Sequence, residues 1–249
     1  RLIMFIEIRS LIKAKKYLDL KYDISSKNKL SNIKYSHLID CLNILKFYNI
    51  KNYLRYGPAV LLHDIGRFYE EDSELAKFNH AEYGYNLLKN EFTDNPIILF
   101  PVKYHEEDIE WEKLICNDLN FLNCSKGQKR KIMYGCKLVR DIDIISNMKN
   151  LARQNLTDEK VEQINEKIID NLYNGDISVK EDILNKFDEI SYILCGLNLI
   201  SYSKSFKYIR KYKIVEMLID KQLKIVPEDK KIYDSTIEMY KFIKVKFKL

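Results

Sequence analysis

Apolar residues in this chain recur every three or four positions, and nowhere do they alternate strictly with period two over the length of a sheet strand. Between Ile33 and Ile50 the positions Leu38, Cys41, Leu42, Leu45 and Tyr48 trace one face of a helix. Stripes of this period are buried helix against helix, so the expected fold is all-α. Only 7 Gly and 4 Pro interrupt 249 residues, which fits a folded, mostly helical chain.

The punctuation predicts where the helices lie. Residues 2–20 read as a packing helix and 21–32 as a polar loop, followed by a helix over 33–50 that carries His37. Gly57-Pro58 is expected to break the chain, with Pro58 in the first turn of the next helix. That helix ends at about His63-Asp64, with Gly66 as a stop, and residues 67–79 are acidic and irregular. Asn79 is placed to cap a helix from His80 through Leu88, and Pro96 starts another that has His105 near its end. Trp111 to Phe121 is amphipathic, Lys126-Gly127-Gln128 reads as a turn, and Lys131 to Met148 as a long helix. Four further helices are expected at Asp158–Asn174, Glu181–Ser203, Ile209–Lys221 and Pro227–Lys244, broken by Asn174-Gly175-Asp176 and Pro227. No repeat and no long linker appears, so the expectation is a single helical domain over 1–249, with a core at about 30–150 and an extension at about 151–249.

Charge and cysteine usage narrow the partners. The net charge is +6, and lysines are spread along the chain beside acids, as in Lys180-Glu181-Asp182. This pattern serves solubility and argues against nucleic acid, which needs a concentrated basic stripe. Five cysteines, odd in number and without a C-x-x-C pair, read as free thiols of a reducing, cytoplasmic setting. No apolar segment reaches the ~20 residues of a membrane span, and no cleavage-site pattern follows a basic start.

The four histidines are His37, His63, His80 and His105, all within less than a third of the chain. His63 is followed directly by Asp64, inside Leu61-Leu62-His63-Asp64-Ile65-Gly66-Arg67-Phe68. Imidazole is the commonest metal ligand, and a His-Asp pair can grip one cation from a single turn. The pair cannot close a site alone. His37 and an aspartate beyond position 130 are available to complete it, and Asp64 is placed to bridge a second metal held by His80 and His105. Asp141 and Asp143 lie two apart on one helix, so only one of them aims inward. Substrate phosphates would also need cations. Lys34 precedes His37 by three residues, Arg140 precedes Asp143 by three, and Arg67 follows the pair by one turn. The plain alternative for all three is a surface lysine or a salt-bridged arginine.

The order His37 … His63-Asp64 … His80 … His105 … Asp143 resembles the HD superfamily of metal-dependent phosphohydrolases, over about residues 30–150. Ala59-Val60-Leu61-Leu62-His63-Asp64-Ile65-Gly66-Arg67 is similar to that family's HD helix. His80-Ala81-Glu82-Tyr83-Gly84 is similar to its H-A-E-x-G box, and Val102-Lys103-Tyr104-His105 to the box after it. Leu138 to Ile145 resembles its R-D-A-D-x-L segment, although Ile142 replaces the small residue there. The ligand in that segment is the second aspartate, which favours Asp143 and leaves Asp141 to cap, to pair with Arg67 or to support a ligand. Asp182 to Lys207 is similar to a helical tail of bacterial members.

The resemblance implies one or two divalent ions (Mn, Fe, Ni, Co or Mg) on His37, His63, Asp64, His80, His105 and Asp143. Asp64 and Arg67 are the catalytic candidates, and Lys34, Arg67 and Arg140, from their spacing, the expected contacts to substrate. The expected activity is hydrolysis of a phosphate ester of a nucleotide or other small phosphorylated metabolite, by a chain compatible with a homodimer. HD-like cores also house di-iron oxygenases, and a non-catalytic metal-binding signalling module is the third alternative. No G-Y-P box follows the pair, which argues against a cyclic di-nucleotide phosphodiesterase, and no G-x-x-x-x-G-K-[ST] loop is present.

Overall fold

A computed structural model describes residues 2–25, 29–70, 79–105, 111–155, 161, 163–226 and 230–249. Among the described residues every regular element is helical, so the fold is all-α. The chain forms two compact units, one through Ile142 and one from Asp143 onward.

The first unit holds α1 (Leu2–Ile24), α2 (Lys29–Leu45), α3 (Ile50–Leu62), a 3-10 helix (Ile65–Tyr69), α4 (His80–Glu91), α5 (Pro96–Lys103), α6 (Trp111–Asn117) and α7 (Leu119–Leu122). The long α8 (Lys126–Arg153) begins there and runs unbroken through the boundary. Helix α3 packs against α1, α2 and α5. From Leu54 through Leu62 all of its residues but Arg55 are buried.

That burial corrects the expected break at Gly57-Pro58, since both residues lie inside α3. The true start is Asn49, whose side chain accepts a hydrogen bond from the Asn52 N–H at 2.8 Å. A proline inside a helix costs about 3 kcal/mol. Burying Leu54, Val60, Leu61 and Leu62 at about 1.5–3 kcal/mol each outweighs it. Gly57 is needed for packing rather than turning, because a Cβ there would meet Leu11 Cδ1 of α1 at 2.7 Å.

Gly66 likewise does not stop a helix. It sits in the 3-10 helix, and a Cβ there would lie 2.1 Å from the His80 carbonyl oxygen. Its missing side chain lets the first turn of α4 approach the segment that follows Asp64. Asn79 caps α4 as expected, its side chain accepting from the N–H groups of Ala81 and Glu82, both at 2.9 Å. Asn95 does the same for the Ile97 N–H ahead of Pro96 in α5.

Other boundaries move. The polar stretch 21–32 is mostly helical, because α1 runs to Ile24 and α2 begins at Lys29. The helix expected to reach Ile50 ends at Leu45. Lys126-Gly127-Gln128 opens α8 instead of turning: Ser125 Oγ accepts from the Gln128 N–H at 3.3 Å and Gln128 Oε1 from the Ser125 N–H at 3.0 Å, a reciprocal capping box. Trp111 to Phe121 is two short helices, the second capped by Asp118.

The second unit holds α9 (Glu166–Asn174), α10 (Lys186–Cys195), α11 (Ser203–Lys211), α12 (Ile214–Ile225) and α13 (Lys230–Phe247). The break at Asn174-Gly175-Asp176 is present, with Gly175 left-handed at φ 87°. The single helix expected over Glu181–Ser203 is instead α10 between two 3-10 turns. The expected Ile209–Lys221 helix is split, with Lys213 left-handed at φ 51° before α12. The expected starts at Asp158 and Pro227, and most of the acidic stretch before Asn79, lie outside the described residues. Phe187, Ile190, Leu194 and Leu218 form the buried centre of this unit. There the buried Gln222 amide donates to Phe187 O at 3.1 Å and Ser191 Oγ at 2.7 Å. Among the described residues no helix is long and apolar enough to cross a membrane.

Candidate metal centre

Helix α3 ends at Leu62 and delivers His63 and Asp64 directly after its last turn. His63 is fully buried and Asp64 is 4% exposed. His63 Nδ1 lies 2.9 Å from Val60 O, and His105 Nδ1 lies 2.7 Å from Val102 O. A carbonyl oxygen only accepts, so each Nδ1 carries a hydrogen and Nε2 is the ring atom left to face the site. The backbone thereby sets both rings in the ligand orientation that metal sites favour.

Asp64 Oδ1 lies 3.2 Å from His80 Nε2 and 3.3 Å from His105 Nε2, and the two ring nitrogens are 3.3 Å apart. With Nδ1–H on Val102 O, His105 Nε2 can meet Asp64 Oδ1 either as a second N–H donor or across a divalent ion held between them. Burial alone would raise the Asp64 carboxyl. Hydrogen bonds from His105 and His80, with the charges of Lys34 and His63, outweigh burial and hold it well below the usual carboxylate range.

Two groups of side chains bring ligand-type atoms within 4.8 Å of one another. One is His63, Asp64 and His105. The other brings His37, Cys41 and His63 together within the first unit. His63 is common to both. The rings of His37 and His63 are 5.5 Å apart, those of His63 and His105 4.9 Å, and those of His80 and His105 5.3 Å, so all four imidazoles meet in one chain of contacts. The donor set of buried imidazoles, a carboxylate and one thiol fits a divalent transition ion.

The expected cations sit at different places. Lys34 Nζ is 2.9 Å from Asp64 Oδ2. Arg67 Nε is 3.3 Å from Asp64 Oδ1, and Arg67 Nη1 is 2.7 Å from Glu70 Oε1. Arg140 is buried, its guanidinium carbon 5.2 Å from the centre of the Trp111 ring. Asp141 is fully buried on α8, and Asp143 accepts a hydrogen bond from Asn147 Nδ2 at 3.1 Å.

Two residues were missed by sequence reasoning. Cys41 is four residues after His37, the spacing of one helix face, yet it reads as another apolar core position. Glu70, 3.8 Å from His80 Nδ1, sits in an acidic run where a single carboxylate does not stand out.

Buried histidines and an aspartate, turned toward one another from several helices, form a cluster that could hold a metal ion in an all-helical protein. The family model for the HD domain matches residues 35–192, and the chain belongs to that family. Its members bind divalent metals and form a superfamily of metal-dependent hydrolases. No curated protein and no solved structure matches the chain.

Proposed function

We propose that this chain hydrolyses a phosphate ester of a small phosphorylated metabolite, with a nucleotide as the default class. The observation that carries the reading is the convergence of Asp64 Oδ1, His80 Nε2 and His105 Nε2 at 3.2–3.3 Å, with Lys34 and Arg67 both on the same carboxylate. His37, His63, Asp64, His80, His105 and Asp143 are the residues that would hold one or two divalent ions. Bound there, such an ion supplies Lewis acidity and a water of lowered pKa. The backbone carbonyls of Val60 and Val102 keep His63 and His105 oriented for that task. Lys34 and Arg67 position Asp64 and bring positive charge to where phosphoryl oxygens would be drawn. Arg140, buried against Trp111, takes a packing role in this reading. Five cysteines with no disulfide among them fit a reducing compartment.

The test is phosphate release from a panel of nucleotides and small phosphate esters by protein loaded with Mn, Fe, Co, Ni or Mg. Turnover with at least one pairing is expected, and it should disappear in His63→Ala. No turnover for any ester with any ion, in protein shown to hold metal, overturns the reading. Oxygen uptake by the iron-loaded chain without phosphate release would assign the site to oxygenase chemistry instead.

A further inference from the structure

Of the five cysteines, Cys41 alone stands in a ligand-type group among the described residues. The other two buried thiols have different surroundings. Cys195 Sγ donates to Ile168 O at 3.4 Å and meets Ser178 Oγ at 3.6 Å. Cys136 lies in a cluster of Phe100, Trp111, Ile115, Phe121 and Ile132. Cys41 instead faces His37, with its Sγ 3.5 Å from His37 Nε2.

We propose that Cys41 is a thiolate ligand to the ion held by His37 and His63, which makes this centre selective for zinc, cobalt or iron over magnesium and manganese. The inference rests on the metal-centre reading above and adds a donor to it. Geometry carries the argument. In a tetrahedral zinc site, with Zn–S of about 2.3 Å and Zn–N of about 2.1 Å, the sulfur and nitrogen lie ~3.6 Å apart. The observed 3.5 Å matches that separation. Helix α2 sets the two side chains one turn apart on the same face, which is how a helix offers two ligands to one ion. Cys41 and His63 are fully buried and His37 is 4% exposed, so water is a poor competitor for the position. A soft sulfur donor biases the site away from magnesium and manganese, which prefer oxygen ligands. Binding exchanges the S–H bond for an S–metal bond and releases one proton to solvent, with no change of oxidation state.

The test loads the full chain with Co(II) and records its absorption spectrum. A near-ultraviolet sulfur-to-cobalt charge-transfer band is expected, lost in Cys41→Ser and kept in Cys116→Ser, with the visible cobalt bands present in both. The Cys41→Ser change is also expected to weaken zinc binding at least ~10-fold. Bound cobalt with visible bands and no charge-transfer band overturns the thiolate while leaving the metal centre standing. A band that survives Cys41→Ser, or that vanishes in Cys116→Ser, also overturns it. A chain that takes up no cobalt overturns both this inference and the centre itself. Because Cys41 is fully buried and its variant can fail to fold, X-ray absorption fine structure of the zinc-loaded wild-type chain gives an independent reading. One sulfur scatterer at ~2.3 Å is expected, and nitrogen and oxygen alone would sink the proposal.

Discussion

Lys34 Nζ lies 2.9 Å from Asp64 Oδ2, so a lysine from α2 holds one oxygen of the aspartate while the other turns to His80 and His105. The sequence places Lys34 on the face of His37 as a cation for substrate. In the fold it reaches the carboxylate first. Removing it by Lys34→Met leaves a buried anion with less countercharge. Because the Lys34 side chain is 22% exposed, the expected loss is held to about 1–2 kcal/mol in the metal-free chain, below the figure for a fully buried pair. Urea denaturation measures it, and added divalent ion is expected to shrink the difference. An equal loss with and without metal would contradict a shared role for the two cations.

Gly66→Ala is expected to cost about 1–3 kcal/mol, because its Cβ would fall 2.1 Å from the rigid backbone oxygen of His80. The start of α4 has to move, and His80 with it. Metal affinity should fall alongside stability while far-ultraviolet dichroism stays helical. Gly57→Ala is the comparison, since its Cβ meets only side-chain ends, Leu11 closely and Leu42 at 3.5 Å, and it should leave metal affinity near wild type.

His63 belongs to both ligand groups, whereas His105 belongs to one. His63→Ala should therefore lose more metal than His105→Ala, and metal content by mass spectrometry of the dialysed protein reads the difference. Wild-type content in His63→Ala would remove it from the centre.

Acid should weaken the first unit through Asp118. Burial would raise its carboxyl, but hydrogen bonds from Lys103 and Tyr104, both at 3.0 Å, outweigh that and lower it. A lowered folded value means that the stabilisation is present above the unfolded pKa of about 3.9 and is lost as pH falls through the lower folded value. The stability gap between wild type and Asp118→Asn should thus be flat near neutrality and close as the pH drops below about 4. A gap that does not change with pH would show that the carboxylate charge contributes nothing.

Local chemistry was legible and long-range packing was not. Asn79 announces its helix because a cap is decided within three residues, by one side-chain oxygen and the nearest N–H groups. The candidate cluster was readable for a similar reason, since His63, His80 and His105 each stand in a recognisable local pattern. Gly57-Pro58 misleads because its local penalty is overridden by neighbours distant in sequence, on α1, α2 and α5. Gly66 misleads because what it accommodates is a backbone oxygen fourteen residues away. Cys41 hides because a thiol on an apolar stripe has the same pattern whether it packs or binds. The left-handed Lys213 that divides α11 from α12 carries no local signal of the kind glycine gives at Gly175.

The two carbonyls that orient His63 and His105 have a further consequence. Val60 and Val102 belong to the last turns of α3 and α5, where backbone oxygens have no partner within the helix. Both helices therefore direct the negative ends of their macrodipoles toward the same place, and each favours a nearby cation by about 0.3–1 kcal/mol. Part of the centre's preference for positive charge is thus written into the peptide backbone. It would survive substitution of any single ligand side chain, while a change that lengthened one helix by a turn would remove that helix's share with every ligand still present.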